Sequence, residues 1–160
     1  VATTAELARQ QALAARRRNP ATGSLPGFPS AADIVNVQGI WINKSIAGNL
    51  AALLKAAAAD GVPLNGGGYR NSAAQVALRQ AHCGSSQYAV YQMPASQCSP
   101  PTARPGTSMH EQGLAIDFTY NGSVINGHGN PGWQWLNAHA AKYGLYNLPS
   151  EPWHWSTNGN

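Results

Sequence analysis

At 160 residues with 43% hydrophobic content, the chain can build one real core and is expected to form one catalytic-size domain. Only 10% of its residues are charged, against roughly 25% in an average soluble protein, and glycine (17), proline (11) and small polar residues fill the surface instead, as suits a protein working outside the cytoplasm. The net charge of +4 comes without a basic stripe interleaved with aromatics, which argues against a nucleic-acid partner, and no apolar run reaches the ~18 residues of a membrane span.

Residues 3–18 are rich in Ala, Gln and Arg, start at Thr3 as a helix cap and end in Arg16-Arg17-Arg18, a cationic turn suited to a helix C-terminus. This predicts an N-terminal helix (1–18) whose thin stripe of Leu7 and Leu13 sets it apart as an appended element or linker remnant. A linker loop over 19–34, rich in proline and glycine, joins it to a catalytic domain spanning 35–160. The chain lacks the apolar stretch of a signal peptide and is read as a mature or trimmed form.

Alternation over 35–42 predicts a strand, and helical apolar spacing over 45–59 predicts a helix stopping at Asp60-Gly61. Three glycines lead to a strand end at Gly68-Tyr69-Arg70, and a helix over 72–81 starts with Ser72 as its cap. Residues 114–120 have period two: Leu114, Ile116 and Phe118 point one way, Ala115, Asp117 and Thr119 the other. A helix over 130–144 is entered through Pro131 and ended by Gly144, and 151–157 form a last strand.

Cys83 and Cys98 are the only cysteines and lack the spacing of a metal knuckle or redox motif. A disulfide closing the loop between them is expected, stabilising the fold by roughly 3 kcal/mol and implying an oxidising compartment. Two buried free thiols, or a knuckle using His82 and Cys83, are the other readings.

Three of the six acidic residues, Glu111, Asp117 and Glu151, fall in two short segments: Ser108-Met-His110-Glu-Gln-Gly113-Leu-Ala-Ile-Asp117 and Glu151-Pro-Trp-His154-Trp155. Two imidazoles and a carboxylate, with a fourth position open to water and a spare carboxylate to take that water's proton, are what Zn²⁺ hydrolysis requires. His110, Asp117 and His154 are therefore the expected ligands of one zinc ion and Glu151 the base. Gly113 can take the positive φ that turns His110 back toward Asp117. Strand alternation would send Glu151 and His154 to opposite faces, so Pro152 must impose a bend. Glu111 is read as a solvated or outer-sphere residue, and His82, His128 and His139 as structural, with His128 placed to rim a cleft. Arg70, at a strand end after glycines, offers a fork for a carboxylate or a developing oxyanion, an ordinary salt bridge being the alternative.

Gly68-Tyr69-Arg70, Gln75, the segment from Pro105 through Ser108 and His110 to Asp117, the Trp135-Leu136 to Tyr143-Gly144 helix and Glu151-Pro-Trp-His154-Trp155 together resemble the D-alanyl-D-alanine carboxypeptidases of vancomycin-resistance type, within the lysostaphin-like, D-Ala-D-Ala and hedgehog-type zinc proteins. The resemblance covers roughly 35–157. It implies an α+β fold in which a small central antiparallel sheet carries the zinc site, flanked by helices. It also implies removal of the terminal D-Ala from peptidoglycan stem peptides, with zinc-activated water, Glu151 as general base and then acid, and Arg70 as the second catalytic residue. Arg70 and Ser108 correspond to positions holding the substrate carboxylate or oxyanion, Gln75 to a cleft residue, and Trp153 to a substrate-side residue packed beneath the metal. The expected setting is extracytoplasmic, with the protein acting as a monomer. The cysteine-bearing loop 82–105 departs from the family pattern and is expected to bear on specificity. Rival readings are a peptidoglycan endopeptidase, a zinc-bearing wall-binding domain without catalysis, and a glycosidase using Glu111 and Asp117 as an acid pair.

Overall fold

The computed structural model describes residues 28–160, which divide into two compact units: 31–69 with 113–160, and 70–112 with the described residues before Ala31. The helix expected over 3–18 lies outside the described residues, as does the expected linker up to residue 27. The described end of that linker is not loop throughout. A 3-10 turn at Ala31–Asp33 leads into a strand that starts at Ile34.

In the first unit, the single strand expected over 35–42 is a hairpin of β1 (Ile34–Val37) and β2 (Ile40–Asn43), because Gln38 and Gly39 take φ of 51° and 90° and turn the chain in two residues. Asn43 caps helix α1 (Lys44–Ala59) by accepting from the Ser45 N–H at 3.0 Å. Leu50, Leu53, Leu54 and Ala57 recur at helical spacing and are buried with Ile40, Ile42, Ile116, Phe118, Leu136 and Trp155 in one core.

The main sheet is antiparallel throughout, in the order β3 (Leu64–Gly67), β4 (Ala115–Tyr120), β7 (Glu151–Ser156), β6 (Tyr146–Leu148), with β5 (Ser123–Val124) pairing β4. The period-two pattern of β4 sends Ile116 and Phe118 fully into the core and leaves Asp117 on the other face. The helix expected over 130–144 is an α-helix at Pro131–His139, capped by Asn130, that tightens into a 3-10 turn at Ala140–Tyr143 and stops where Gly144 takes φ 73°. Helices and antiparallel sheet together make an α+β fold, as expected.

In the second unit, α2 (Ser72–Cys83) is capped by Asn71 rather than Ser72: its side chain accepts from the Ala74 N–H at 2.8 Å. The loop between the cysteines contains a further helix, α3 (Gln87–Tyr91), and is closed by the Cys83–Cys98 disulfide; the Pro131–His139 helix is accordingly α4. Arg79, fully buried, organises this segment. Its guanidinium donates to the carbonyls of Val90 (2.9 Å), Thr102 (2.6 Å), Ala89 (2.6 Å) and Met93 (2.7 Å). The rigid fork of donors thus meets four main-chain oxygens and the Cys98 Sγ at 3.2 Å.

Arg79→Leu should therefore strip the donor from several buried carbonyls, each costing roughly 1–3 kcal/mol. The expected result is a loss of at least about 3 kcal/mol, read as a lower urea midpoint of the oxidised protein. An unchanged midpoint would show that the cation is not what holds the loop.

Candidate metal centre

Asp117 and His154 meet because they are direct partners across the β4–β7 ladder, and opposed residues on antiparallel strands share a face. His154 Nδ1 lies 3.0 Å from Asp117 Oδ1, with the imidazole buried and the carboxylate half-exposed. On the far side of β4, Gly66 and Gly67 of β3 face Phe118 and Asp117. A Cβ at Gly66 would run into the Asp117 carbonyl, so only glycine allows the strands to close here.

Glu151 reaches the same face as His154 through a break in the β6–β7 ladder. Asn147 pairs with Trp155, but the next rung joins Leu148 to Glu151, so Pro152, Trp153 and His154 bulge out of the β6–β7 register. Pro152 brings no N–H that the bulge would waste. The bend that the sequence demanded is thus present, and Glu151 Oε2 stands 3.9 Å from His154 Nδ1. Asn147 fills the gap: its amide donates to the carbonyls of Glu151 (3.0 Å) and His154 (2.9 Å).

His110 sits in the 3-10 turn Met109–Gln112, capped by Ser108, whose Oγ accepts from the His110 N–H at 3.2 Å. Gly113 ends that turn with φ 68°, the positive value expected, and its carbonyl accepts from the Asn43 N–H at 2.9 Å. Glu111 is buried rather than solvated. Its two oxygens accept from the Gly106 N–H (2.9 and 3.0 Å), the Ser108 N–H (3.3 Å) and the Ser72 hydroxyl (3.1 Å), pinning the turn to the start of α2. Burial pushes its carboxyl above the usual range, against those donors. A carboxylate so committed is a poor half of an acid pair, which disfavours the glycosidase reading.

The Arg70 N–H donates to the His110 carbonyl at 3.1 Å, and its guanidinium reaches Gln75 Oε1 at 3.4 Å. Gln75, expected in the cleft, is only 1% exposed, and its amide donates to the Ala103 carbonyl at 2.8 Å. Its Oε1 thereby braces the Arg70 guanidinium. Trp153 is partly buried against the core. Of the histidines read as structural, His82 contacts the Thr102 hydroxyl at 2.7 Å, His128 stacks on Trp133 and His139 packs on Trp135.

His110, Asp117 and His154 make a group that could hold a metal ion, each offering one ligand atom and all three atoms within 4.8 Å of one another. Two imidazoles and a carboxylate suit Zn²⁺ with a fourth position for water. The surroundings of His154 fit a bound cation as well. Its Nε2 faces the Asn160 carbonyl at 2.8 Å while Nδ1 faces Asp117, so both ring nitrogens meet acceptors. A neutral ring has one N–H to give, and the carbonyl fixes it on Nε2; Nδ1 and the carboxylate then need a cation between them. Without one, a proton serves. Burial lowers the His154 pKa, but the Asp117 hydrogen bond and charge, the Asn160 carbonyl and Glu151 together raise it above its usual 6.5.

Sequence reasoning missed Asn147, Asn160 and the burial of Glu111. Asn147 and Asn160 carry no motif signal, because they act on or through main-chain groups, and Glu111, though inside the first motif, is spent on donors around its own turn.

Residues 39–160 match the family model described as VanY, D-alanyl-D-alanine carboxypeptidase. A D-alanyl-D-alanine carboxypeptidase of Enterococcus faecalis is 30% identical over 117 residues, covering 64% of this chain and 43% of that protein, so the chain spans less than half the length of that relative. Among solved structures, the LdcB LD-carboxypeptidase is similar with TM-score 0.61 at 26% identity, over 83% of this chain and 71% of that one. A mutant of the vancomycin-resistance D,D-pentapeptidase VanY in complex with Zn(II) has TM-score 0.59 at 27% identity, over 81% of each chain. VanYB in complex with D-alanine-D-alanine has TM-score 0.58 at 26% identity, over 77% of this chain and 75% of that one.

The raised His154 pKa sets opposite pH trends with and without metal. In chelator-treated protein the protonated ring stabilises the fold at pH below about 6.5, and that contribution is lost as pH rises through the raised folded value. Zinc competes with the same proton, so its affinity should climb over that window. Thermal denaturation across pH, with EDTA or with added zinc, checks both slopes; parallel curves would remove His154 from the metal group.

Proposed function

The chain belongs to the VanY family of D-alanyl-D-alanine carboxypeptidases, and from that premise we propose that it is a zinc peptidase that removes the terminal D-Ala from peptidoglycan stem peptides ending in D-Ala-D-Ala. One observation carries the proposal. Glu151 is held 3.9 Å from the His154 ring nitrogen, beside the candidate ligand group and outside it.

In this reading His110, Asp117 and His154 would hold one Zn²⁺, which would supply Lewis acidity and a more acidic water. Glu151 accepts a proton from the water that attacks the scissile carbonyl. Its side chain is only 14% exposed, so bulk water does not compete for that proton. The same carboxyl then returns the proton to the departing D-alanine amine, acting as base and then acid. Arg70, anchored at its N–H to the His110 carbonyl and at its guanidinium to Gln75, presents positive charge to the substrate's terminal carboxylate or the developing oxyanion. Ser108 uses its oxygen to accept from the His110 N–H, which leaves its O–H to donate toward substrate. Trp153, partly buried against the core, is taken as a substrate-side residue in this reading. The Cys83–Cys98 disulfide suits an enzyme working on the wall, outside the cytoplasm.

Glu151→Ala should keep one zinc per chain while kcat on a D-Ala-D-Ala-ended peptide falls by about 10²–10⁴-fold. His154→Ala should lose the metal along with activity. A Glu151→Ala protein with wild-type turnover would remove the proton-transfer role.

Digestion of muropeptides followed by mass spectrometry tests the substrate. Loss of a single alanine from pentapeptide stems, abolished by chelator and restored by zinc, is the expected outcome. Halved peptides would instead identify an endopeptidase.

A further inference from the structure

Cys83 and Cys98 are joined in a stretch without negative charge. No acidic residue occurs between Asp60 and Glu111, and the Glu111 carboxylate is committed to Gly106, Ser108 and Ser72. The titratable side chains of residues 79–104 besides the two cysteines are Arg79, His82, Tyr88, Tyr91 and Arg104, cationic or neutral near pH 7. Arg79 is fully buried, and its Nη1 donates to Cys98 Sγ at 3.2 Å as well as to the Thr102 carbonyl at 2.6 Å. Burial, and then the charge of Arg104, both work against that cation. Among the described residues its fork meets carbonyl dipoles and one sulfur, and no carboxylate.

The two sulfurs therefore differ. Cys98 is only 4% exposed and lies against the guanidinium, whereas Cys83 is partly exposed, ends α2 at the negative pole of the helix and leads into exposed residues 84–88. A thiolate at Cys98 would gain a buried cationic donor; one at Cys83 would meet the carbonyl end of a helix.

We propose that the Cys83–Cys98 bond is a thiol–disulfide exchange site of fixed polarity, at which a small thiol attacks Cys83 and Cys98 departs as a thiolate held by Arg79. The incoming thiolate forms an S–S bond to Cys83 Sγ, and the electron pair of the Cys83–Cys98 bond leaves on Cys98 Sγ. A second thiol releases Cys83 by the same exchange, so two thiols are oxidised to one disulfide while the protein bond is reduced to two cysteines. The polarity follows from the chemistry of exchange: the accessible sulfur is struck, and the better-stabilised thiolate leaves. Opening the bond does not open the loop. The Ser99 N–H donates to the His82 carbonyl at 2.9 Å beside the cysteines, His82 Nδ1 contacts the Thr102 hydroxyl at 2.7 Å, and Arg79 holds the carbonyls of Ala89, Val90, Met93 and Thr102. The segment is closed twice, once by a bond that thiols can exchange and once by hydrogen bonds that they cannot.

Sulfite reads the polarity in the wild-type protein, because its attack leaves an S-sulfonate on the sulfur it strikes and a thiol on the other. Under native conditions, with mass spectrometry of the digested protein, S-sulfonate on Cys83 should exceed that on Cys98 by at least about tenfold. A smaller excess, labelling mainly on Cys98, or no cleavage in the folded protein would overturn the proposal. Ultraviolet absorbance of the thiolate then separates the role of Arg79 from simple access. The Cys98 thiol of Cys83→Ser should ionise at least about one pH unit below the Cys83 thiol of Cys98→Ser, and a smaller or reversed difference would overturn the assignment of Cys98 as leaving group. Should either variant fail to fold, the sulfite label on the wild-type protein decides alone.

Discussion

The register between β4 and β7 is the constraint on which the site depends. Asp117 stands opposite His154, and because side chains alternate with period two, a slip of one residue would send every side chain of β7 to the other face. The hydrophobic pattern forbids such a slip: Ile116 and Phe118 of β4 are fully buried in the core, and Trp155, the partner of Ile116, is nearly so. Burial of the apolar face therefore fixes the position of the polar one. The donor geometry is a by-product of core packing, and no separate interaction is needed to bring together two residues far apart in sequence.

Scarcity of charge sharpens what that register achieves. With six acidic residues in the chain, each described carboxylate has an identifiable assignment. Asp60 accepts from the Trp135 indole, Asp33 pairs with exposed Lys44, and Glu111 is spent on main-chain donors around the His110 turn. Asp117 and Glu151 are left beside a buried imidazole whose nitrogens both face oxygen. Positive charge is buried by the same economy: Arg79 is neutralised by carbonyl dipoles instead of a carboxylate, so it organises the disulfide segment without consuming an acid.

Side-chain chemistry was legible in the sequence; main-chain chemistry was not. The period-two run over β4 and the leucine spacing of α1 announced their elements, and the donor set of His110, Asp117 and His154 stood out because three of only six acidic residues fall in the two short segments that carry these histidines. The turn at Gln38-Gly39 went unread because one of its two positive-φ residues is a glutamine, a poor signal for a hairpin. Ser72 was taken for the cap of α2 because Asn71, one residue earlier, is an equally good capping residue and propensity cannot rank them. Helix α3 was hidden inside a Ser- and Gln-rich loop, where Arg79 gathers its C-terminal carbonyls from outside the segment. Gln75 read as a cleft residue from resemblance, yet burial turns its amide into a brace for Arg70 and Ala103.

Three-residue spacing between Glu151 and His154 would put the two side chains on opposite faces of a regular strand, and the bulge is what brings them to one face. Spacing of two would put both side chains on one face at about 6–7 Å along the strand, with no bulge required. Spacing of three with a bulge brings the carboxylate to 3.9 Å from the ring nitrogen. That separation exceeds a direct hydrogen bond but lies within reach of a bridging water. If Glu151 is the general base of the proposed function, that spacing would let it reach the water it deprotonates while staying outside the ligand group. The irregularity in β7 is stabilised by an amide from the neighbouring strand, and under the proposed function it is what sets the carboxylate beside the ligand group.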